Sequence, residues 1–363
     1  MNTTTNVPAN LPLALDGHND LLSRLYADGG VGAAESFING RATHLDLDRC
    51  RAGGFAGGFF AIYVPSPGKR AERDLLMQKE HYDLPLPTPI DVKDALPVAL
   101  HQAAILVRLE QLGALTICTT VADIQACMNT GVIAAIMHIE GCEVIDPDFH
   151  SLEILYRAGL RSLGPVWSRH TLFAEGVPFR FPSSPDTGNG LTQLGVELVK
   201  RCNNRGILVD LSHINEAGFW DVAKYSTKPL VATHSNAHVL CEHARNLTEK
   251  QLAAIAESDG MVGVNFGTAF LRPDGRKLPD VKLSVVLRHF DHLISFLGED
   301  RVGFGSDFDG TVVPDGIGDV AGLVTLREAM KTHGYNGELM QKLCHGNWLR
   351  VLEKTWATTP TIG

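Results

Sequence analysis

Apolar runs alternate with amphipathic segments along most of the chain. Early apolar runs lie at 13–20, 57–64 and 131–140, and the second is continuous, which is typical of a strand covered on both faces. Beyond residue 150 the alternation becomes regular. The pattern there predicts helices at 151–158, 191–204, 215–225, 248–258 and 281–297, and strands at 161–167, 206–212, 229–235, 260–266 and 301–306.

The remaining segments are less regular. A Gly- and Ala-rich excursion at 22–51 predicts a loop with a short helix near 45–47, and the proline-rich stretch 66–97 predicts an insertion or loop. Helical periodicity predicts the helices 98–112 and 121–129, and two or three helices that close the chain around 320–332, 336–344 and 346–356.

About eight strands separated by helices indicate parallel βαβ units, and this number favours an α/β fold of one (β/α)₈ barrel domain. An open doubly wound sheet would carry a Gly-rich phosphate loop after an early strand, and the segment 16–20 is not one. We expect the barrel domain to span 11–357, with a flexible N-terminus at 1–10 and a C-terminal tail at 358–363.

Composition narrows the range of partners. The chain has 363 residues, of which 44% are hydrophobic and 20% charged, as in ordinary globular proteins. Its net charge of −9 argues against a nucleic-acid partner, which would need a basic face. We therefore expect a small-molecule substrate.

The seven cysteines are odd in number and show no CxxC spacing, which argues against both a disulfide framework and a thiolate zinc site. The first residues lack a signal-peptide pattern, and no stretch approaches the ~20 apolar residues of a membrane span. The sequence therefore predicts a soluble, cytoplasmic protein that does not bind membranes.

Residues able to bind a metal lie at the ends of several predicted strands. A single buried histidine at such a position is most often structural. In a barrel, however, the C-terminal ends of all strands lie at one mouth, where active sites are formed. Uncompensated buried acids and imidazoles are costly, and a metal ion offsets that cost. The predicted ligands are His18, Asp20, Glu140, His213 and His234.

Three imidazoles and two carboxylates without a thiolate suit zinc, with manganese, iron or cobalt as substitutes. Five ligands exceed the number that one catalytic zinc takes, so we expect two ions bridged by Glu140. Such a pair can hold a bridging hydroxide for hydrolysis. Asp307 then fits as the general acid/base that carries a proton to the leaving amine.

Taken together, the motifs resemble those of the membrane (renal) dipeptidase family of zinc peptidases. The resemblance covers about residues 13 to 350 and rests on Asp16-Gly-His-Asn-Asp20, His138-Ile-Glu-Gly141, Leu208-Val-Asp-Leu-Ser-His213, Thr233-His-Ser235, Ala244-Arg-Asn246 and Gly303-Phe-Gly-Ser-Asp-Phe-Asp-Gly310. It implies an amidohydrolase-type barrel, a dinuclear zinc site, a homodimer and cleavage of dipeptides, including those with a C-terminal D-residue. It also implies that Arg245 clamps the substrate carboxylate. Asn246, next to Arg245, is a further candidate for substrate binding, and Asp309 and Tyr63 are candidates for the pocket wall.

One segment departs from the family pattern. Many members carry a histidine after the fourth strand that assists the carbonyl oxygen, and alignment places Trp167 at that position. We expect His170 to supply the missing donor, with Arg169 as the alternative and Trp167 shaping the pocket. His138 is expected to be a core or supporting residue rather than a ligand.

Two other functions fit less well. A related amidohydrolase acting on N-acyl amino acids or lactones would share the fold and the carboxylate clamp. A catalytically silent binding protein would have little use for a complete ligand set.

Overall fold

The computed structural model describes residues 11–66, 68 and 70–357. The predicted flexible N-terminus at 1–10 and the tail at 358–363 lie outside the described residues. Within the described ranges the strands are β1 (Ala14–Asn19), β2 (Phe55–Tyr63), β3 (Tyr82–Asp83), β4 (Leu115–Ile117), β5 (Ile133–Glu140), β6 (Leu160–Gly164), β7 (Arg180–Phe181), β8 (Leu208–Val209), β9 (Val231–Ala232), β10 (Met261–Asn265) and β11 (Val302–Gly305).

Eight of these strands form a parallel barrel. They neighbour one another in the order β8-β6-β5-β2-β1-β11-β10-β9, and a parallel bridge between Asp210 and Val231 joins the two ends. Strand β4 pairs with the first half of β5, and β3 and β7 form a separate antiparallel pair. The predicted (β/α)₈ fold in a single domain is confirmed.

Helices cover the outside of the barrel. The α-helices of the described chain are α1 (Leu21–Ala27), α2 (Ala34–Asn39), α3 (Leu47–Gly53), α4 (Arg70–Leu76), α5 (Val92–Gln111), α6 (Val121–Thr130), α7 (His150–Arg157), α8 (Gln193–Arg205), α9 (Glu216–Tyr225), α10 (Glu249–Glu257), α11 (Thr268–Leu271), α12 (Leu283–Leu297), α13 (Leu323–His333), α14 (Gly337–Gln341) and α15 (Asn347–Trp356). None of the helices in the described ranges has the length and apolar character needed to cross a membrane.

Local sequence signals set several helix ends. Thr120 and Thr248 each form a capping box, with Asp123 and Gln251 respectively, at the starts of α6 and α10. Gly206 ends α8 in the left-handed conformation that glycine adopts without strain. These three helices begin and end within two residues of their predicted bounds.

The early loops contain more helix than their composition predicts. The excursion 22–51 holds α1, α2 and most of α3, and the predicted loop 66–97 holds α4. Helix α5 begins at Val92 rather than at 98, and Pro97 lies inside it. Its buried face already includes Ala95 and Ala99, so the apolar spacing continues across the proline.

Strands β8 and β9 contain only two residues each, where seven were predicted. The Asp210 side chain replaces part of the missing ladder, because its Oδ1 accepts hydrogen bonds from the backbone N–H groups of Ser212 (3.0 Å) and Thr233 (2.8 Å). The chain beyond each short strand is therefore free to turn its side chains into the barrel mouth.

Three glycines allow the backbones of neighbouring strands to pack closely inside the barrel. A Cβ atom on Gly17, Gly263 or Gly305 would lie 2.1, 2.1 or 2.2 Å from the carbonyl oxygen of Thr233, so three strands approach this carbonyl as only glycine allows. The buried Trp348 indole packs on Phe59 with ring centroids 5.0 Å apart. The barrel is thus packed solid below the mouth.

Candidate metal centre

The carboxylate of Glu140, at the end of β5, lies among three imidazoles. Its Oε1 is 3.0 Å from His213 Nε2, 3.5 Å from His234 Nε2 and 3.8 Å from His18 Nε2. The Asp20 carboxylate approaches the same nitrogen of His18, with Oδ2 3.6 Å from Nε2. All five side chains are buried, so the structure brings together the whole predicted ligand set.

Asp307 lies beside this cluster, after β11. One carboxylate oxygen of Asp307 falls within 4.8 Å of ligand atoms of His18 and Asp20, and a second group within the same limit joins His18, Glu140 and His234. The Asn265 amide donates a hydrogen bond to Asp307 Oδ2 at 3.1 Å. Asp307 is therefore near enough to serve either as a ligand or as a proton carrier.

Both His213 and Asp307 have left-handed backbones, with φ of 67° and 59°. This conformation is costly for residues other than glycine and recurs at functional sites. In both cases the turn follows the end of a short barrel strand and aims the side chain at the mouth.

Unpartnered nitrogen atoms show that these residues fit a metal ion. Both ring nitrogens of His18 and Nε2 of His234 are buried without a hydrogen-bond partner. Buried polar atoms are normally paired, and a lone pair of an unprotonated imidazole nitrogen is a good ligand for zinc and similar ions. A bound cation would satisfy these atoms.

The electrostatics of the cluster favour a positive charge. Burial raises the pKa of Glu140 to about 8. Burial alone would lower the pKa of His18, but the carboxylates of Glu140, Asp20 and Asp307 together raise it to about 10. Glu140 and His18 therefore both favour a bound proton at neutral pH, and a metal cation can replace that positive charge.

Hydrogen bonds behind the ligands fix their orientation. His213 Nδ1 lies 2.9 Å from Ser168 Oγ, and His234 Nδ1 lies 2.9 Å from Thr233 Oγ1. The Thr233 hydroxyl donates to Asp210 Oδ2 at 2.6 Å, so it accepts from His234 Nδ1–H. Both rings therefore present Nε2 to Glu140, as metal-binding histidines do when a supporting group holds the other nitrogen.

A cavity of about 520 Å³ opens above the cluster, a size typical of small-molecule sites. Asp20, Glu140, His213 and Asp307 lie at its base. The aromatic part of its wall consists of Tyr63, Trp167, Phe179 and Phe270, and its basic part of Arg24, Arg70, Arg73 and Lys277. The cavity can therefore hold a small substrate that is partly apolar and partly anionic.

The predicted carboxylate clamp, Arg245, is buried next to the cluster. Its Nη1 donates to Ser235 Oγ (3.4 Å) and its Nη2 to the His234 carbonyl (3.1 Å), while Nε has no partner. Burial lowers the pKa of Arg245 to about 10, against the opposing pull of Asp307 and Glu140. The side chain stays charged and has one donor free, and like His170 it is not among the residues that line the cavity.

The predicted replacement for the family histidine is less well placed. Trp167 lines the cavity, as expected, but His170 is only half-buried and is not among the lining residues. The alternative, Arg169, is fully buried and donates to Glu143 at 2.7 Å and to Ser66 at 2.7 Å. The geometry favours neither as a donor to substrate, and the role of His170 stays a prediction.

Asn246 and Asp309 are not among the residues that line the cavity, and their substrate contacts stay predictions. The Asn246 amide donates to the carbonyls of Cys241 and Phe270, both at 2.9 Å. Asp309 accepts from the backbone N–H of His44 at 2.7 Å. Both side chains hold loops together instead of lining the cavity, because each is drawn to backbone groups that would otherwise be unpaired.

His138 meets the sequence prediction of a supporting residue. It is buried, and its Nδ1 lies 2.9 Å from Ser162 Oγ, while burial lowers its pKa to about 3. The sequence reasoning missed Asp210, Ser168 and Arg73. Asp210 could have been found as an acid at a strand end inside the motif that contains His213, whereas no pattern marked the other two.

Comparisons with known proteins identify similar chains. A family model described as membrane dipeptidase (peptidase family M19) matches residues 1–361. A crystal structure of a metallo peptidase from Rhodobacter sphaeroides, liganded with a phosphinate mimic of the dipeptide L-Ala-D-Ala, is 52% identical, covers 95% of this chain and 100% of its own, and superposes with a TM-score of 0.94. The structure of a dipeptidase AC, also of family M19, is 52% identical over 96% of this chain and 99% of its own, with a TM-score of 0.93.

A curated relative extends the comparison. A Klebsiella pneumoniae protein described as an uncharacterized protein in the pqqA 5′ region is 48% identical over 265 residues, which are 72% of this chain and 98% of the relative.

Proposed function

The chain belongs to the membrane dipeptidase family, peptidase family M19, and is a metal-dependent dipeptidase; from this premise we propose which of its groups carry out the hydrolysis. The peptide bond is cleaved at the cluster of His18, Asp20, Glu140, His213 and His234. The single observation that supports this proposal best is the Glu140 carboxylate among three imidazoles, with its Oε1 3.0 to 3.8 Å from their Nε2 atoms.

Two zinc ions are the proposed cofactors, with manganese, iron or cobalt as substitutes. His18 and Asp20 would hold one ion, His213 and His234 would hold the other, and Glu140 would contribute to both. When bound, the ions supply Lewis acidity, which activates water and polarises the scissile carbonyl. The absence of thiolate ligands and the unpartnered nitrogens of His18 and His234 support this assignment.

Asp307 is the proposed general acid/base. It takes a proton from the attacking water and delivers it to the leaving amine. Burial raises the pKa of Asp307, and the hydrogen bond from Asn265 fixes one of its oxygens. A carboxyl group whose pKa is raised gives up its proton closer to neutral pH, which suits a group that must both accept and donate.

Arg245 is the proposed partner of the C-terminal carboxylate, which it binds through its free Nε and the positive charge. The Rhodobacter sphaeroides enzyme binds a mimic of L-Ala-D-Ala, and we extend that substrate class, including a D-residue at the C-terminal position, to this chain. His170 stays the proposed hydrogen-bond donor to the scissile carbonyl. Trp167 stays the residue proposed to shape the pocket.

A substrate panel tests the function. Zinc-loaded enzyme is assayed with L,L- and L,D-dipeptides and, in parallel, with N-acyl amino acids and lactones, while bound metal per chain is measured. We expect hydrolysis of dipeptides and about two metal ions per chain. Activity only on the N-acyl compounds or lactones would favour the amidohydrolase alternative and reject the dipeptidase.

Two further proposals concern the state of the protein. The family resemblance supports a homodimer, which light scattering on the purified protein tests. The seven cysteines, all free and buried, support a reducing, cytoplasmic location.

A further inference from the structure

Three of the four basic side chains of the cavity wall surround the carboxylate of Asp74. Lys277 Nζ lies 2.7 Å from Asp74 Oδ1, Arg73 Nε lies 3.9 Å from the same oxygen, and Arg70 Nε lies 3.8 Å from Asp74 Oδ2. Three cations around one carboxylate leave two positive charges in excess. We call these four residues the basic wall.

Lys277 is the most sheltered member of the basic wall. Its side chain is only 5% exposed, against 33% for Arg70, 26% for Arg73 and 24% for Asp74. Burial lowers the pKa of Lys277 to about 8, Asp74 opposes this shift, and Arg70 and Arg73 add to it. A cation held so close to others in a site with little water gains from any anion that joins them.

Arg73 is the member of the basic wall with the most free hydrogen-bonding capacity. Its Nε is buried and has no hydrogen-bond partner. Its guanidinium carbon lies 5.2 Å from the Trp167 ring centroid and 5.4 Å from that of Phe179, so two aromatic faces hold the group in place. Arg70, in contrast, donates to the carbonyls of Asp309 and Gly310.

The same two rings connect Arg73 to the metal centre. The ring centroids of Trp167 and Phe179 lie 5.9 and 6.3 Å from that of His213. Arg73 and the proposed metal ligand His213 therefore lie against the same two aromatic rings and line the same cavity. A dipeptide bound at the metal centre shares this cavity with the Arg73 guanidinium.

We propose that the basic wall, through Arg73 and Lys277, binds a second carboxylate of the substrate, so that the enzyme prefers dipeptides with an Asp or Glu side chain. This inference rests on the proposed dipeptidase function and deepens it. The C-terminal carboxylate is assigned to Arg245, so an uncharged dipeptide leaves the basic wall without an anion. Arg24 and Glu72 also line this part of the cavity, and their opposite charges leave the excess unchanged.

Isosteric dipeptide pairs test the preference directly. L-Ala-D-Glu is compared with L-Ala-D-Gln, and L-Glu-D-Ala with L-Gln-D-Ala, because each pair differs only in a carboxylate against an amide. We expect kcat/KM to favour the acidic member of at least one pair by ~10-fold or more. The two pairs also show which substrate residue faces the basic wall.

Variants identify the responsible side chain. Arg73→Gln keeps two of the three methylene groups and should reduce the preference to nearly 1, while the amide-containing dipeptides lose less than ~3-fold. The control Arg157→Gln removes the same charge from an exposed position at the end of α7 and should keep the preference. Arg73→Glu should shift the preference toward dipeptides with a Lys side chain.

Each contrary outcome has a distinct meaning. If the wild-type enzyme cleaves the amide members as well as the acidic ones in both pairs, the inference is wrong and the dipeptidase function stands. If Arg73→Gln slows both members of a pair equally, Arg73 does not recognise the side-chain carboxylate and its assigned role is overturned.

A binding measurement separates the inference from the proposed function. Calorimetry on metal-loaded Asp307→Asn compares the affinity of each acidic dipeptide with that of its amide partner without turnover. Tighter binding of the acidic member, lost in the double variant with Arg73→Gln, supports the inference even if no dipeptide is cleaved. Equal affinities overturn it.

Discussion

Gly310 is the position where a single methyl group would disturb the metal centre most directly. A Cβ at this residue would lie 2.0 Å from Asp307 Oδ1 and 2.1 Å from Asp20 Oδ2, and real Cβ atoms essentially never approach other atoms within 3.0 Å. In Gly310→Ala the two carboxylates must therefore retreat by about 1 Å. The φ of Gly310 lies outside the left-handed region, so the change adds no backbone strain.

A displacement of this size has a calculable effect. Misplacing a catalytic group by about 1 Å can cost about 100-fold in rate, so we expect kcat/KM for L-Ala-D-Ala to fall by about that factor, together with a loss of bound metal. Overpacking of this kind costs about 1–3 kcal/mol of stability, so the variant should still fold. Steady-state kinetics, elemental analysis and thermal unfolding measure the three quantities.

Gly337→Ala is the matched control. No atom lies within 4 Å of the Cβ that this change adds at the start of α14, so wild-type kinetics and metal content are expected. If Gly310→Ala kept the wild-type kcat/KM and its full metal content, the inferred positions of both carboxylates relative to the ions would be refuted.

Four further predictions concern the same centre and its surroundings. Asp307→Asn should retain metal but lose ~100-fold or more in kcat; full activity would remove the acid/base assignment. A chelator should abolish hydrolysis and added zinc should restore it, whereas activity that survives complete metal removal would contradict the metal mechanism. Thr233→Val leaves His234 and Asp210 without their shared hydroxyl and should destabilise the fold by about 1–3 kcal/mol and weaken zinc binding, with Thr233→Ser as the rescue; unchanged zinc affinity would count against the orienting role. Arg169→Met strands a buried acid and should cost about 3–5 kcal/mol in chemical denaturation; a fall in kcat without loss of stability would instead revive its catalytic alternative.

The barrel and the ligand cluster were predictable from sequence for one shared reason. The hydrophobic period changes from strand to helix at regular intervals, and parallel strands place their last residues at one mouth. The proximity of His18, Glu140 and His234 could thus be predicted from the sequence. The residue types at these strand ends then indicated metal chemistry.

The lengths of β8 and β9 were not predictable in the same way. Apolar residues continue past both strands, but the Asp210 side chain, not a neighbouring strand, binds the next backbone N–H groups. A hydrophobicity pattern does not report which acceptor a buried N–H will find. The two-residue strands therefore emerged only from the fold.

Arg73 illustrates a second limit. It lies on α4, inside a stretch whose prolines and charges predict a loop, and no short-range signal relates it to Trp167 or Lys277. These residues lie about 90 and 200 positions further along the chain. Only the packing of α4 across the barrel mouth brings them together, and packing of this kind is not encoded in a local period.

The three glycines around the Thr233 carbonyl also bear on how this enzyme can evolve. Any replacement at Gly17, Gly263 or Gly305 adds at least one carbon atom in space that the Thr233 carbonyl already occupies. These three positions therefore tolerate almost no substitution. New substrate preferences must then be acquired by exchanging residues on the surrounding loops and on α4. The residues that can change substrate preference are thus separate from the glycines that pack the barrel beneath the metal centre.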